Sequence, residues 1–230
     1  MKKVLITGAT GAIGEACARY FSDNGYFVYI HYHSNQAKAE ALAKELGNAE
    51  IVKFDIASSE DVKSALKDIE VDILVNNAGK TKDKLFFWME DHDWEDIIQT
   101  NLNGTFYVTK ALLPSMQKKK NGAIINIASV AGVVGNAGQA NYAASKGGMI
   151  SMSKSLAIEV ARHNIRVNCV VPGFVHSEMT AGFNEKDFDK IIPMKRFGNA
   201  VEVAEVVYFL ADKASYITAE TINISGGMVR

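Results

Sequence analysis

Short apolar runs rich in Val and Ile recur along the chain with longer amphipathic stretches between them. They cover Val4 to Thr7, Phe27 to His31, Ile51 to Phe54, Asp72 to Val75, Ala123 to Ile127, Ile165 to Val170 and Thr221 to Ile224. Runs this short read as strands, and the helical periodicity between them reads as crossover helices. Most of the runs are apolar throughout rather than alternating, as expected of strands covered on both faces. The expectation is an α/β fold with seven mostly parallel strands in one doubly wound sheet flanked by helices. No Pro- or Ser-rich linker, repeat or low-complexity stretch interrupts the series, and the prolines stand only at Pro114, Pro172 and Pro193. Residues 1–230 are therefore expected to form a single domain.

Composition narrows the partners. With 230 residues, 48% of them hydrophobic, the chain can fill a sizeable core. The 25 basic and 26 acidic side chains nearly cancel, so no global field favours nucleic acid or an anionic membrane, and neither is expected. Cys17 and Cys169 stand far apart, outside any Cys-x-x-Cys or Cys/His pattern. Neither a disulfide framework nor a metal site is expected, and reduced thiols fit a cytoplasmic location. The apolar run behind Met1, Lys2 and Lys3 ends in a glycine turn, too soon for a signal peptide or a membrane span.

Candidate chemistry gathers where strands should end. Thr7-Gly8-Ala9-Thr10-Gly11-Ala12-Ile13-Gly14 follows the first strand and precedes the amphipathic run Glu15 to Ser22. Glycines at such a turn let backbone N–H groups and a helix N-terminus face a pyrophosphate, which makes Gly8, Thr10, Gly11, Ile13 and Gly14 candidate dinucleotide contacts. Structural glycines without a ligand are the alternative. Asn76-Asn77-Ala78-Gly79 follows the fourth strand, where either a ligand site or a plain turn would use these residues. Ser129 follows the fifth strand, and Tyr142 and Lys146 open a helical pattern reaching about Arg162. Residues four apart share a helix face, so Lys146 should stand beside the Tyr142 hydroxyl and draw its pKa down from about 10. Taken alone, the pair could equally be a solvated helix face.

Together these segments resemble the short-chain dehydrogenase/reductase family over essentially the whole chain, adding Asp55-Ile56, Asn101 and Pro172-Gly173 to the match. The resemblance implies a Rossmann-type fold and a nicotinamide cofactor. It implies a catalytic set of Asn101, Ser129, Tyr142 and Lys146. Tyr142 would be the general acid in carbonyl reduction, Ser129 would bond the substrate oxygen, and Lys146 would tune the phenol and hold the nicotinamide ribose. Asn101 would hold a water that relays protons to the lysine, the alternative being a mid-helix Asn with a local backbone bond. The resemblance further places Asp55 and Ile56 near the adenine, Asn77 with Ala78 and Gly79 near the adenosine ribose, and Val175 of the Pro172, Gly173, Val175, Ser177 loop against the nicotinamide amide. The turn departs from the commonest family spacing, with Ala12 where a glycine is usual and Gly11 where phosphate-preferring members often carry a base. The second strand nevertheless ends in His31-Tyr32-His33-Ser34 with no carboxylate to exclude a 2′-phosphate. His33 and Ser34 could donate to one, so NADPH is expected over NADH, and a bare strand-end pair is the alternative.

Two stretches, Gly135 to Tyr142 (with Gln139 a further substrate contact) and Ile217 to Thr221 ahead of Gly226-Gly227-Met228, resemble members that reduce 3-oxoacyl groups carried on acyl carrier protein in bacterial fatty acid synthesis. That resemblance implies a homotetramer and a basic rim for the acidic carrier, made here of Lys118, Lys119, Lys120, Arg162 and His163. A solvated, helix-ending charge run is the other reading of the lysines. The stretches Leu46 to Val71 and Ala181 to Ile192 are short for such members, which leaves open acetoacetyl-CoA reduction, a polyketide or polyene ketoreductase, or another NADPH-dependent ketone reductase. Phe86, Phe87 and Trp88 suggest core or subunit packing as readily as a site entrance. A dinucleotide sensor without turnover is the remaining alternative, and the intact Ser129, Tyr142 and Lys146 argue against it.

Overall fold

Seven strands form one sheet in the order β3-β2-β1-β4-β5-β6-β7, and every neighbouring pair is parallel. The computed structural model describes residues 1–229. The strands are β1 (Lys3–Ile6), β2 (Phe27–Tyr32), β3 (Ala49–Lys53), β4 (Ile73–Asn76), β5 (Gly122–Ile127), β6 (Ile165–Pro172) and β7 (Thr221–Ile224). Each lies within about two residues of the run that predicts it, the customary uncertainty of strand ends.

Helices cover both faces. On one side α1 (Ala12–Asp23), α2 (Gln36–Leu46) and α8 (Ala200–Tyr208) pack over Val4, Ile6, Val28, Ile30, Ile73 and Val75. On the other, α3 (Ser59–Leu66), α4 (Asp91–Ile98), α5 (Gly104–Lys119), the short α6 (Ala131–Val134) and α7 (Ala140–Val160) lie over the alternate residues, with Leu5, Tyr29, Leu74, Ile124 and Val167 in that core. Successive strand residues point to opposite faces, so continuous apolar runs feed both cores. Local chemistry sets the helix ends. Asn35 accepts from Lys38 N–H at the start of α2, Gly47 takes the left-handed φ of +72° at its end, and Ser58 caps α3. Reciprocal capping boxes open α4 (Glu90 with Asp93) and α8 (Asn199 with Glu202).

Two consequences follow for function. The chain reverses direction across the sheet between β1 and β4, and the crevice outside the carboxyl ends of those strands is where open α/β sheets take ligands. The helices run antiparallel to the strands, which fixes where the basic group lies within one chain. Lys118 and Lys119 end α5 just before β5 begins, and Arg162 and His163 follow α7 just before β6 begins. Within one chain this basic group, Lys120 included, stands at the amino edge of the sheet, the opposite end from Ser129. No helix among the described residues is long and apolar enough to cross a membrane.

Candidate active site

The glycine-rich turn is shaped by two close approaches. Gly8 holds φ at +62°, and a Cβ there would stand 2.9 Å from Ala78 Cα; a Cβ on Gly14 would stand 2.3 Å from Gly8 O. Side chains are excluded at both points, so backbone lies against backbone. Thr7 Oγ1 accepts from Asn77 N–H at 2.9 Å and Ala78 N–H at 3.0 Å, while Asn77 Nδ2 donates to Thr7 O and Gly8 O, both at 3.0 Å. The β1 and β4 loops are thereby locked together. Gly11 caps α1 without a side-chain bond, and the helical ladder begins with Glu15 N–H to Gly11 O. The amides before it have no partner within the helix and carry the positive end of its dipole.

A cleft of about 380 Å³ runs from this turn across the carboxyl ends of the strands. It brings together Gly8, Thr10, Gly11 and Ile13, then Asn77, Ala78 and Gly79, then Ser129, Tyr142 and Lys146, then Pro172, Gly173, Val175 and Ser177. Its volume is in the range of small-molecule and cofactor sites. An uncapped helix end, amides at a turn too close for side chains, and a phenol, hydroxyl and amine at the far end fit a nicotinamide dinucleotide. Gly14 is buried beneath the turn and shapes it.

The chemical end differs from expectation in one respect. Tyr142 and Lys146 do share the first turns of α7, but Lys146 Nζ donates to Ile127 O at 2.7 Å and lies 5.7 Å from the centre of the Tyr142 ring. The carbonyl that ends β5 captures the ammonium, and the phenol's pKa is not drawn down. Burial pushes it above its ordinary value, the Ser129 hydroxyl beside it acts in the opposite sense, and the Asp83 charge adds to the rise. At neutral pH Tyr142 therefore holds its proton. Lys146 is 3% exposed, and burial lowers its pKa to about 8.

That lysine carries a stability cost with a defined sign. Its folded pKa lies below the unfolded one, so the penalty is full below about pH 8 and fades as pH rises toward 10.5. Lys146→Met is expected to stabilise the protein at pH 7 by about 1–2 kcal/mol, the relieved burial of about 3 kcal/mol being offset by an unpaired Ile127 carbonyl. Melts of both proteins at pH 7 and 10 check this, with the gain shrinking at the higher pH.

Asn101 sits in a π-turn, Gln99–Asn103, that joins α4 to α5. Such turns frequently mark functional sites. Its side chain is fully buried: Oδ1 accepts from Lys80 N–H at 2.9 Å, and Nδ2 donates to Lys80 O at 3.0 Å and to Ser145 Oγ at 3.1 Å. The local backbone bond weighed above is absent, and the contacts are long-range. A Cβ on Gly79 would stand 3.2 Å from Asn101 Oδ1 and 3.5 Å from Lys146 Nζ, so both side chains approach Gly79.

Besides the buried Gly14, five expected contacts lie outside the cleft lining. His33 and Ser34 are exposed beyond β2. Asp55 folds back on its own loop, accepting from Ala57 N–H at 2.9 Å, and Ile56 is drawn into the core against Gly104. Gln139 caps α7 and donates to Asp83 Oδ2 at 2.7 Å, so its amide is held away from the cleft. Phe86–Trp88 form an exposed 3-10 turn, which removes core packing as their use. Two positioning residues were missed. Asn141 Oδ1 accepts from Tyr142 N–H at 2.7 Å while Nδ2 donates to Lys82 O and Asp93 O, and Ser145 Oγ donates to Tyr142 O at 2.7 Å. Polar residues on the inward face of α7 were the available signal. No group of three or more His, Cys, Asp or Glu that could hold a metal occurs among the described residues.

The chain matches the family model described as short chain dehydrogenase over residues 2–187 and belongs to that family. Nodulation protein G of Rhizobium meliloti (strain 1021) is 48% identical, covering 99% of this chain and 96% of the relative. The 3-oxoacyl-[acyl-carrier-protein] reductase FabG of Staphylococcus epidermidis (strain ATCC 12228) is 42% identical, covering 99% and 98%, and that of Staphylococcus aureus (strain N315) is 41% identical over the same shares. The protein is accordingly an oxidoreductase of a family that uses a nicotinamide dinucleotide and acts on CH–OH groups and the corresponding carbonyls.

Proposed function

We propose that the protein reduces a 3-oxoacyl thioester carried on acyl carrier protein to the 3-hydroxyacyl thioester, with NADPH as reductant. The observation that carries the reading is the convergence of Ser129, Tyr142 and Lys146 at one end of a cleft whose other end is the glycine turn. Relatives matched over nearly their full length and named 3-oxoacyl-[acyl-carrier-protein] reductase support the substrate. A bound nicotinamide supplies hydride to the carbonyl carbon. Negative charge then grows on the substrate oxygen, where the Ser129 hydroxyl donates a hydrogen bond and Tyr142, kept protonated by burial, delivers its proton. Lys146, anchored on Ile127 O, places a positive charge behind the phenol and steadies the phenolate left after transfer. Asn101 positions the Lys80 backbone and the Ser145 hydroxyl beside it.

No carboxylate stands at the end of β2 where it would repel a 2′-phosphate, which supports NADPH over NADH; His33 and Ser34, being exposed there, remain free to meet it. The test is a steady-state comparison of 3-oxoacyl substrates on acyl carrier protein and on CoA, and of simple ketones, with NADPH and with NADH. The reading expects kcat/KM to be highest for the carrier-bound thioester with NADPH. A preference for CoA would identify an acetoacetyl-CoA-type reductase, and tight dinucleotide binding without turnover of any ketone would identify a sensor.

A further inference from the structure

His31 is the histidine enclosed within the sheet, only 2% exposed. Its ring bridges two strand ends. Nδ1 accepts from Gly8 N–H at 2.9 Å, and Nε2 lies 3.1 Å from Phe54 O, with the ring stacked on Phe54 at 3.8 Å between centroids. The partners dictate the tautomer: a carbonyl can only accept, so Nε2 carries the proton, and an amide N–H can only donate, so Nδ1 is bare. The backbone adds a second grip, with Ala9 N–H donating to His31 O at 3.0 Å. One residue thus holds two consecutive amides of the glycine turn on the side away from the cleft.

We propose that His31 is a positioning residue for the dinucleotide: as the neutral Nε2–H tautomer it fixes Gly8, whose carbonyl in turn accepts from Gly11 N–H at 3.1 Å, so that the amides of Thr10, Ala12 and Ile13 face the diphosphate, and a second proton on the ring releases the turn. This rests on reading the cleft as a dinucleotide site. Imidazolium has no acceptor, so protonation would set Nδ1–H against Gly8 N–H, two donors face to face in a buried space. The turn has little room to adjust, because Gly8 already lies against Ala78. Burial pushes the ring down to about 4; His33, just beyond the end of the same strand, acts in the same direction, while the Phe54 carbonyl and the charges of Asp55 and Asp61 oppose it. The folded pKa lies below the ordinary 6.5, so the grip is complete above that value and is lost as pH falls through about 4.

Two variants separate the contributions. His31→Phe keeps a ring to stack on Phe54 and has no acceptor, while His31→Asn keeps an acceptor near the Nδ1 position and does not titrate. Titrations with NADP+ and NAD+, which withstand acid, are run beside ¹⁵N spectra and amide exchange of the ligand-free proteins. At pH 7.5 the dissociation constant is expected to rise about tenfold or more in His31→Phe, with His31→Asn recovering most of it and kcat changing little in either. Without ligand, Gly8 N–H should exchange about tenfold faster in His31→Phe than in wild type or His31→Asn. Wild-type affinity should fall between about pH 5.5 and pH 4 more steeply than that of His31→Asn, which has no imidazole to protonate. Equal affinity in wild type and His31→Phe, no recovery by Asn, or a ring protonated at Nδ1 in wild type would overturn the assignment. If wild type binds neither dinucleotide, the reading of the cleft fails instead, and Gly8 exchange alone then decides for or against the role of His31. Should His31→Phe not fold, the wild-type tautomer and the pH comparison with His31→Asn decide it.

Discussion

Tyr142→Phe is expected to lower the rate of carbonyl reduction by about 100- to 10,000-fold while leaving dinucleotide affinity within about threefold of wild type. The change removes one oxygen and one proton and leaves the ring that lines the cleft. Ser129 still offers a hydrogen bond to the substrate oxygen, but a serine hydroxyl beside no base is a poor proton source near neutral pH. Lys146 does not substitute, because its ammonium is bound to Ile127 O and lies 5.7 Å from the ring centre. Steady-state rates with a 3-oxoacyl substrate, set against calorimetric titration of the cofactor, separate chemistry from binding. Full activity in the variant would remove Tyr142 from the proposed role.

The second large effect is structural. Gly14→Ala is expected to lose about 1–3 kcal/mol of stability and to weaken dinucleotide binding more than about tenfold. The added Cβ would stand 2.3 Å from Gly8 O, 2.7 Å from Asn77 Nδ2 and 2.8 Å from Ala9 Cα. None of these can yield cheaply: two are backbone atoms of the turn, and the third is an amide tied to Thr7 O and Gly8 O. Gly11→Ala is the control, since its Cβ would meet only Gly8 O, at 3.5 Å, an ordinary contact. It should melt close to wild type. Equal melting temperatures and affinities for Gly14→Ala and wild type would refute the close-packing argument.

The alternation of apolar runs and amphipathic stretches was enough for seven strands in one doubly wound sheet, because strands covered on both faces have no polar side to interrupt them. It was also enough to send the residues after β1, β4 and β5 and the start of α7 to one edge of that sheet. Parallel strands joined by crossover helices must all end on the same side. Gly8, Asn77, Ser129, Tyr142 and Lys146 were legible for that reason, and they share a cleft. The same rule puts the basic group at Lys118 to Lys120 at the opposite edge of its own chain: a helix that returns to begin the next strand ends at the amino edge.

What spacing could not convey is which partner each polar atom takes. Tyr142 and Lys146 lie one helical turn apart, yet a carbonyl at the end of β5, nineteen residues upstream of the lysine, outcompetes the phenol for the ammonium. Asn101 finds Lys80 and Ser145, Gln139 finds Asp83, and His31 finds Gly8 and Phe54, each across a gap in sequence that no local pattern spans. Desolvation has the same origin. The raised phenol and the lowered ammonium and imidazole reflect the atoms that surround these groups, and those arrive from segments far apart in the chain. Patterning along the chain thus set the topology and the list of reactive groups, since both follow from period and strand direction. Hydrogen-bond choice and protonation state arose only when distant segments packed together, because each depends on short-range contact and on the exclusion of water.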